Sequence, residues 1–265
     1  MSMKIWYQSM VPIDHCPRYR DSIERHALRV CELTTQVRVN GASTHWYGGR
    51  YTPAELLKYP YIKHTIQQEA IDYCRTAATE GYDAVILGSY SEPYLAEIRS
   101  LLDIPVVSMP EASLLLACSL SEKFALIPLA PSQVKRVSAL VQRHALGARI
   151  TQIESLTRPV TEAELEEAMV APQAVIDDFT GVARRLVAGG ADVIIPTEGV
   201  ISELLFWNGV HKIDDATVLD CIGAALANAE MMVRLKRSTG MGVGRRWAYV
   251  TPPQEILDFV HRPRS

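Results

Sequence analysis

The chain has 265 residues, 48% of them hydrophobic and 22% charged, with Gly and Pro at 15 each; this composition matches a folded globular protein and excludes disordered and collagen-like classes. Lys and Arg number 27 against 30 Asp and Glu, a net charge of −3, and the basic residues are dispersed apart from Arg234, Lys236, Arg237, Arg245 and Arg246. A general nucleic-acid-binding surface is therefore not expected.

Met1-Ser2-Met3-Lys4 runs straight into Ile5-Trp6-Tyr7, which reads as a first strand and not as the apolar stretch of a signal peptide, so a cytoplasmic protein is expected. The longest apolar runs, such as Leu114–Cys118, fall far short of the roughly 20 residues that span a bilayer, and no membrane partner is expected. The five cysteines, Cys16, Cys31, Cys74, Cys118 and Cys221, are scattered, without a Cys-x-x-Cys pair or a His at zinc-ligand spacing. Reduced thiols in or near the core are expected, and no metal site.

In chain order, Met3–Met10 reads as a strand and Pro17–Leu33 as a helix, with Ile23, Ala27, Val30 and Cys31 at helical spacing. A short strand at Gln36–Val39 leads into the loop Gly41–Tyr51, where His45, Tyr47 and Tyr51 sit among flexible glycines. Such a loop either covers a ligand or packs its own aromatics. Tyr61–Thr79 reads as helix, Ala84–Leu87 as strand, Glu92–Leu102 as helix, Val106–Val107 as strand, and a further helix runs through Ser119. Continuous apolar strands separated by helices predict a parallel sheet covered on both faces.

The rhythm then restarts. Phe124–Leu129 is a predicted strand, Ser132–His144 a helix, Ile150–Ile153 a strand, and Glu162–Ala188 largely helical with a break near Pro172. Strands follow at Val193–Ile195 and Thr217–Leu219, then a helix at Ile222–Arg237. A boundary near Ser119–Lys123 predicts two α/β halves: residues 1–120, joined by a last helix returning within 221–265, and residues 121–220.

An internal echo supports the two halves. Gly81–Tyr90 (GYDAVILGSY) lies over Gly190–Gly199 (GADVIIPTEG) at a constant spacing of 109 residues. Each copy is a helix end, a Gly-x-Asp turn, a buried strand and a small polar loop. Ligands of open parallel sheets bind beyond the carboxyl ends of the strands, which puts Ser89 and Glu198 in equivalent places, facing each other across a cleft. The predicted fold is thus α/β, with two pseudo-symmetric doubly wound parallel-sheet halves and the site between them.

Three segments, Tyr82–Pro93 (YDAVILGSYSEP), Leu101–Ala112 (LLDIPVVSMPEA) and Gly190–Ile195 (GADVII), together resemble the aspartate/glutamate racemase superfamily, most closely its hydantoin racemase-like branch. The resemblance covers most of the chain to about Leu235. It implies two pseudo-symmetric halves, a site between them, and activity without metal, pyridoxal phosphate or nucleotide. It also implies a cysteine at the end of each echoed strand, the pair exchanging a proton on opposite faces of a carbon next to a carbonyl. This chain has Ser89 and Glu198 there instead. A serine hydroxyl is a far weaker acid than a thiol, so symmetrical two-base chemistry is not expected.

Glu198 is a candidate proton-transfer residue, since desolvation in a cleft raises a carboxyl toward the operating pH; alternatively it caps the helix beginning near Val200. Ser89 is a candidate oxyanion donor or, if activated, nucleophile; alternatively it or Ser91 caps the helix near Glu92. Candidate substrate-binding residues are Gln8 and Ser9 at the end of the first strand, Tyr90 and Ser91 beside Ser89, Thr197 and Gly199 beside Glu198, Tyr47 on the loop, and Glu111 in the Met109–Ala112 turn. Glu111 alternatively caps its helix, and Glu203 is expected to face elsewhere. The glycine-rich Gly240–Arg246 lacks the Gly-Lys-Ser/Thr ending of a phosphate loop and reads as an extension packing on the other half or on another subunit. His15, His26, His64, His144, His211 and His261 have no metal-like spacing, and most are expected at the surface.

Residues and resemblance together predict a cofactor-independent isomerase-type enzyme, a racemase, epimerase or tautomerase, acting through an enolate on a small carboxylate, amide or cyclic imide. Two other readings stay open. One is a lyase, decarboxylase or hydrolase with Glu198 as base and Ser89 as nucleophile or oxyanion donor; the other is a non-catalytic small-molecule binding protein. Relatives often associate, so a homo-oligomer is expected.

Overall fold

The computed structural model describes residues 2–46 and 50–260. Strands β1 (Met3–Ser9), β2 (Thr35–Asn40), β3 (Ala84–Gly88) and β4 (Val106–Ser108) form one sheet, all parallel, in the order β2-β1-β3-β4. Strands β5 (Phe124–Ile127), β6 (Ile150–Ile153), β7 (Val193–Pro196), β8 (Lys212–Ile213) and β9 (Ala216–Val218) form a second, in the order β6-β5-β7-β9-β8. Only β8 is antiparallel, paired with β9 at the edge. Without β8 the two sheets have the same winding, and β3 and β7 hold matching inner positions.

The apolar runs explain these positions. All residues of β3, β5 and β7 are buried, as strands covered by helices on both faces must be. The carboxyl ends are level: Ser9 pairs with Gly88, Leu87 with Ser108 and Gln8 with Asn40 in the first sheet, and Ile127 with Pro196 in the second. Each strand therefore delivers its following loop to the same edge of its sheet.

The two sheets share a core. Ile5, Tyr7 and Ile86 belong to the same apolar cluster as Phe124, Leu126, Val193 and Ile195, joined by Ile222, Ala225, Leu226 and Ala229. These last four lie on the helix Cys221–Thr239, which follows the second sheet yet packs on β3, β4 and the helices Pro17–Val30 and Met109–Leu120. Its small residues let neighbouring backbones approach closely. Asp220 caps its start through Gly223 N at 2.9 Å, and Gly240, at φ 74°, ends it. Among the described residues no helix is long and apolar enough to cross a membrane, and all five cysteines are free.

Several element bounds differ from the sequence reading. The helix expected from Glu92 begins at Leu95, because Glu92 (φ 37°) and Tyr94 (φ 57°) take left-handed conformations on either side of Pro93. That turn carries the Glu92 carboxylate inward. The Tyr61–Thr79 helix is two helices, Pro60–Gln67 and Glu69–Thr79. Unforeseen elements include β8, the helix Gln254–Val260 and the short helix Pro53–Leu57, which begins with a Thr52/Glu55 capping box.

Two buried charge clusters cross between the halves. On one side His26, in the helix Pro17–Val30, meets Glu203 Oε1 through Nδ1 at 2.6 Å and Asp220 Oδ2 through Nε2 at 2.9 Å, stacked on Phe206 at 3.7 Å. Trp207 Nε1 donates to the second Glu203 oxygen at 2.8 Å. On the other side the Glu92 carboxylate accepts from Ser108 Oγ at 2.5 Å, Arg143 at 3.1 Å and His144 at 3.0 Å. His15, His64 and His211 lie at the surface as expected, but His26 is buried and His144 is half-buried against Glu92.

Burial alone would lower the pKa of His26; the hydrogen bonds to Asp220 and Glu203 outweigh it and raise the value to about 9. The pKa of Glu92 moves the other way: desolvation is outweighed by His144 and Ser108, which hold the carboxyl below its usual range. A raised His pKa gives stability that is complete below about pH 6.5 and lost as pH climbs through about 9, while a lowered carboxyl pKa gives stability lost in acid. Urea unfolding should therefore show stability falling between pH 6.5 and 9. In His26→Gln that slope should flatten and stability at pH 6.5 should drop by about 3–5 kcal/mol, the cost of breaking a buried pair.

Candidate active site

Two glycines set the geometry where β3 and β7 end. A Cβ on Gly88 would overlap the Tyr7 ring, so the ring of this β1 residue lies directly over the backbone that leads into Ser89. A Cβ on Gly199 would overlap the Tyr19 hydroxyl and lie 3.7 Å from Met109 Cε, so Tyr19 caps the backbone just after Glu198. The Tyr7 and Tyr19 hydroxyls lie beside each other. Ser89 and Glu198 are thus joined through two buried phenol rings, one seated on each strand end. Burial raises both phenol pKa values, and Tyr7 and Tyr19 stay neutral donors.

Glu198 occupies the position before the helix Gly199–Trp207, with extended dihedrals, and its side chain makes no capping hydrogen bond. The capping alternative is therefore not realised. Its carboxylate lies near Tyr7, Tyr19 and Arg136. Ser89 is half-buried; its Oγ accepts from Ser91 N at 3.3 Å and lies 3.0 Å from Ser91 Oγ. Neither serine caps a helix, since the next one starts at Leu95. Thr197 is buried beside Glu198, and its Oγ1, like the Tyr7 hydroxyl, makes no hydrogen bond of ordinary geometry. Buried hydroxyls without a partner are rare and costly, and both of these sit at the strand ends.

Other candidates are turned to structural work. Gln8 Oε1 accepts from Trp6 Nε1 and Asn40 Nδ2, both at 2.9 Å, and its Nε2 donates to Ser9 O at 2.9 Å. Ser9 Oγ accepts from Val11 N at 3.3 Å. Tyr90 is turned into the core beside Ser113 and Cys221, away from the cleft expected for it. Glu111 is paired with Arg99, which also donates to Val106 O at 2.9 Å, so its carboxylate straps two helices together. Tyr47 lies outside the described residues. On the same loop His45 Nδ1 lies 2.6 Å from Ser43 Oγ and Trp46 Nε1 donates to Glu69 at 2.8 Å, so these side chains bind the loop itself and the helix Glu69–Thr79. Glu203 faces away from Glu198, as expected, toward His26 and Trp207.

Tyr7, Tyr19 and Arg136 were not singled out by the sequence. The signal for the tyrosines lies in Gly88 and Gly199, each beside a candidate residue. Among the described residues no group of three or more His, Cys, Asp or Glu is placed to hold a metal ion.

The Asp/Glu/Hydantoin racemase family model matches residues 54–195, more than half of the chain. The chain belongs to that family. As a member of this racemase family it is an isomerase-type enzyme, and the matched stretch includes Ser89 but ends just before Thr197 and Glu198. Among curated relatives, a hydantoin racemase of Pseudomonas sp. (strain NS671) is 25% identical over 188 residues, 71% of this chain and 72% of that protein. Another, from Rhizobium meliloti, is 23% identical over 159 residues, covering 60% and 64%. The allantoin racemase of Pseudomonas fluorescens superposes with a TM-score of 0.75 at 21% identity, covering 99% of each chain. That of Klebsiella pneumoniae gives 0.74 at 17%, covering 95% and 94%. These likenesses establish the family's two-part α/β fold for this chain.

Tyr7→Phe removes a buried hydroxyl that, among the described residues, lies beside Tyr19 but makes no hydrogen bond of ordinary geometry, so thermal melting should stay unchanged or rise. Gly88→Ala must push the Tyr7 ring aside and should cost about 1–3 kcal/mol, as overpacking does. A Tyr7→Phe variant that melts clearly lower would show that the hydroxyl is satisfied within the protein.

Proposed function

We propose that this racemase-family chain is a cofactor-independent isomerase acting through an enolate on a small carboxylate, amide or cyclic imide. Glu198 is the proton-transfer residue in this reading, and Ser89 donates to the developing oxyanion. The first half comprises residues 1–120 with 221–265, the second 121–220, and the substrate lies between them. The observation that carries the proposal is the pairing of Ser89 and Glu198 at the ends of matching strands, linked by Tyr7 over Gly88 and Tyr19 over Gly199.

The chemistry follows from the groups present. The Glu198 carboxylate takes the proton from the carbon next to a carbonyl, and the C–H electron pair moves into the carbonyl to form the enolate. Donors placed in advance for the oxygen that gains charge lower this barrier. The hydroxyls of Ser89, Ser91 and Thr197 and the N–H of Gly199, in the first helical turn, are such donors. Proton return to carbon restores the carbonyl and leaves Glu198 ionised for the next cycle.

One further observation weighs between this and the hydrolytic reading. The Ser89 hydroxyl has Ser91 Oγ and Ser91 N as its partners, with no histidine or carboxylate at hydrogen-bonding distance among the described residues. A serine nucleophile needs such a base, so Ser89 acts better as donor.

The test is proton NMR in deuterated water with hydantoins, α-amino and α-hydroxy acids, substituted malonates and lactams. Loss of an α-proton signal is expected, slowed about 10²–10⁴-fold in Glu198→Gln, the range for removing a general base. Exchange that persists undiminished in Glu198→Gln would overturn the assignment.

A further inference from the structure

A small cavity lies on the face of the first sheet turned away from the second. Alternate residues of a strand face opposite sides. Tyr7 packs in the core shared with the second sheet, whereas Trp6 and Met10 pack with Ala70, Cys74 and Ala77 of the helix Glu69–Thr79. The cavity opens where these layers part at the end of β1. Its walls include Ser9, Ala42 in the loop after β2, Gln67 at the end of the helix Pro60–Gln67, and Glu69 and Tyr73 on the next helix. Its volume is about 10 Å³, the room that one water-sized particle needs.

Two groups on these walls lack what burial demands. The Glu69 carboxylate accepts from Trp46 Nε1 through Oε1 at 2.8 Å, while Oε2 is fully buried and has no hydrogen-bond partner among the described residues. Gln67 is only 7% exposed, and its amide makes no hydrogen bond with a described residue. Buried polar groups in this state are rare and costly. Glu69 is exceptional in a second way. Other inward carboxylates meet a cation: Glu92 meets Arg143 and His144, and Glu111 meets Arg99. The polar neighbours of Glu69 are the Trp46 indole and the Tyr73 phenol, both neutral, and among the described residues no cation pairs with it. A carboxylate oxygen taken out of water without a positive partner is unfavourable.

We infer that this cavity binds a single monovalent cation of about the size of water, potassium or ammonium, held by Glu69 Oε2 and the amide oxygen of Gln67. The ion supplies the positive charge that Glu69 lacks, and the Gln67 amide, free of other bonds, turns its carbonyl oxygen to it. Divalent ions do not suit the space. Calcium takes about six to eight oxygen ligands and magnesium keeps several of its own waters, and a cavity for one particle has room for neither. The apolar walls from Met10, Ile66 and Ala70 keep water away and strengthen the charge interaction. The ion takes no part in the proposed reaction. It fastens two helices and the loop after β2 to the end of β1, where Ser9 pairs with Gly88 just before Ser89.

Thermal melting of the intact chain tests this, in potassium or ammonium chloride raised from about 1 to about 100 mM. Tetramethylammonium chloride, whose cation is too large for the cavity, holds ionic strength constant. Both small cations should raise the melting temperature saturably, by about 2–5 °C over that range; magnesium chloride at matched ionic strength should not. Thallium NMR should show a bound Tl⁺ resonance that potassium displaces. Glu69→Gln keeps the shape and removes the charge, so in tetramethylammonium chloride it should melt at or above the wild-type temperature, with no response to potassium. Gln67→Leu, which leaves the charge, should raise the potassium midpoint about tenfold. The assignment is overturned if the wild type melts alike in potassium, ammonium and tetramethylammonium, as a cavity holding only water would, or if Glu69→Gln keeps the potassium response. Should Glu69→Gln fail to fold, the thallium displacement and the Gln67→Leu midpoint decide in its place, and an unchanged midpoint without displacement overturns the site.

Discussion

The close approach of Tyr7 to Gly88 and of Tyr19 to Gly199 is the constraint on which the rest depends. A side chain on either glycine would occupy the space of a phenol ring or its hydroxyl. With both absent, a ring from β1 and one from the helix Pro17–Val30 reach the ends of β3 and β7 and meet there. The backbone beside Ser89 and Glu198 is thus packed against two buried aromatic groups. Rigid support of this kind is what a site needs if reacting groups are to be held in position.

The two charge clusters guard that packing from either side. His26 grips Glu203 on the helix that Glu198 begins, and the same His26 helix carries Tyr19. Movement of one half relative to the other would break the His26 contacts and shift Tyr19 from Gly199 together. The Glu92 cluster acts similarly beside Ser89, because the left-handed turn around Pro93 that lets Glu92 reach Arg143 and His144 is the loop that carries Ser89 and Ser91. Buried ion pairs are poor sources of stability compared with apolar packing but are costly to break, so these clusters specify position more than they strengthen the fold.

The legible parts of the sequence were the local ones. The apolar runs of β3, β5 and β7 and the repeated Gly-x-Asp turns are properties of neighbouring residues, and they led to two sheets of matching order with Ser89 and Glu198 at equivalent ends. What could not be read depends on partners far away in sequence. Glu92 looks like the first turn of a helix until Arg143 and His144, about 50 residues later, draw its carboxylate inward. Gln8 has the composition of a ligand contact, yet Trp6 and Asn40 occupy its amide oxygen. Tyr19 and Gly199 are 180 residues apart in the chain, and no periodicity connects them. Polar residues at strand ends are identified by pattern; whether each serves substrate or scaffold is decided by tertiary hydrogen bonds.

If Ser89 and Glu198 are the reacting pair we propose, a carboxylate and a hydroxyl in place of two thiols alter what proton transfer can achieve. Under the proposed chemistry Glu198 works from one face of the enolate, with the neutral phenols of Tyr7 and Tyr19 nearby. Ser89, on the opposite side, holds its proton too tightly to trade it with carbon at neutral pH. An enolate in such a site regains its proton from the face that lost it unless the substrate turns over in the cleft or water reaches the far side. Inversion then depends on how firmly the rest of the substrate is held.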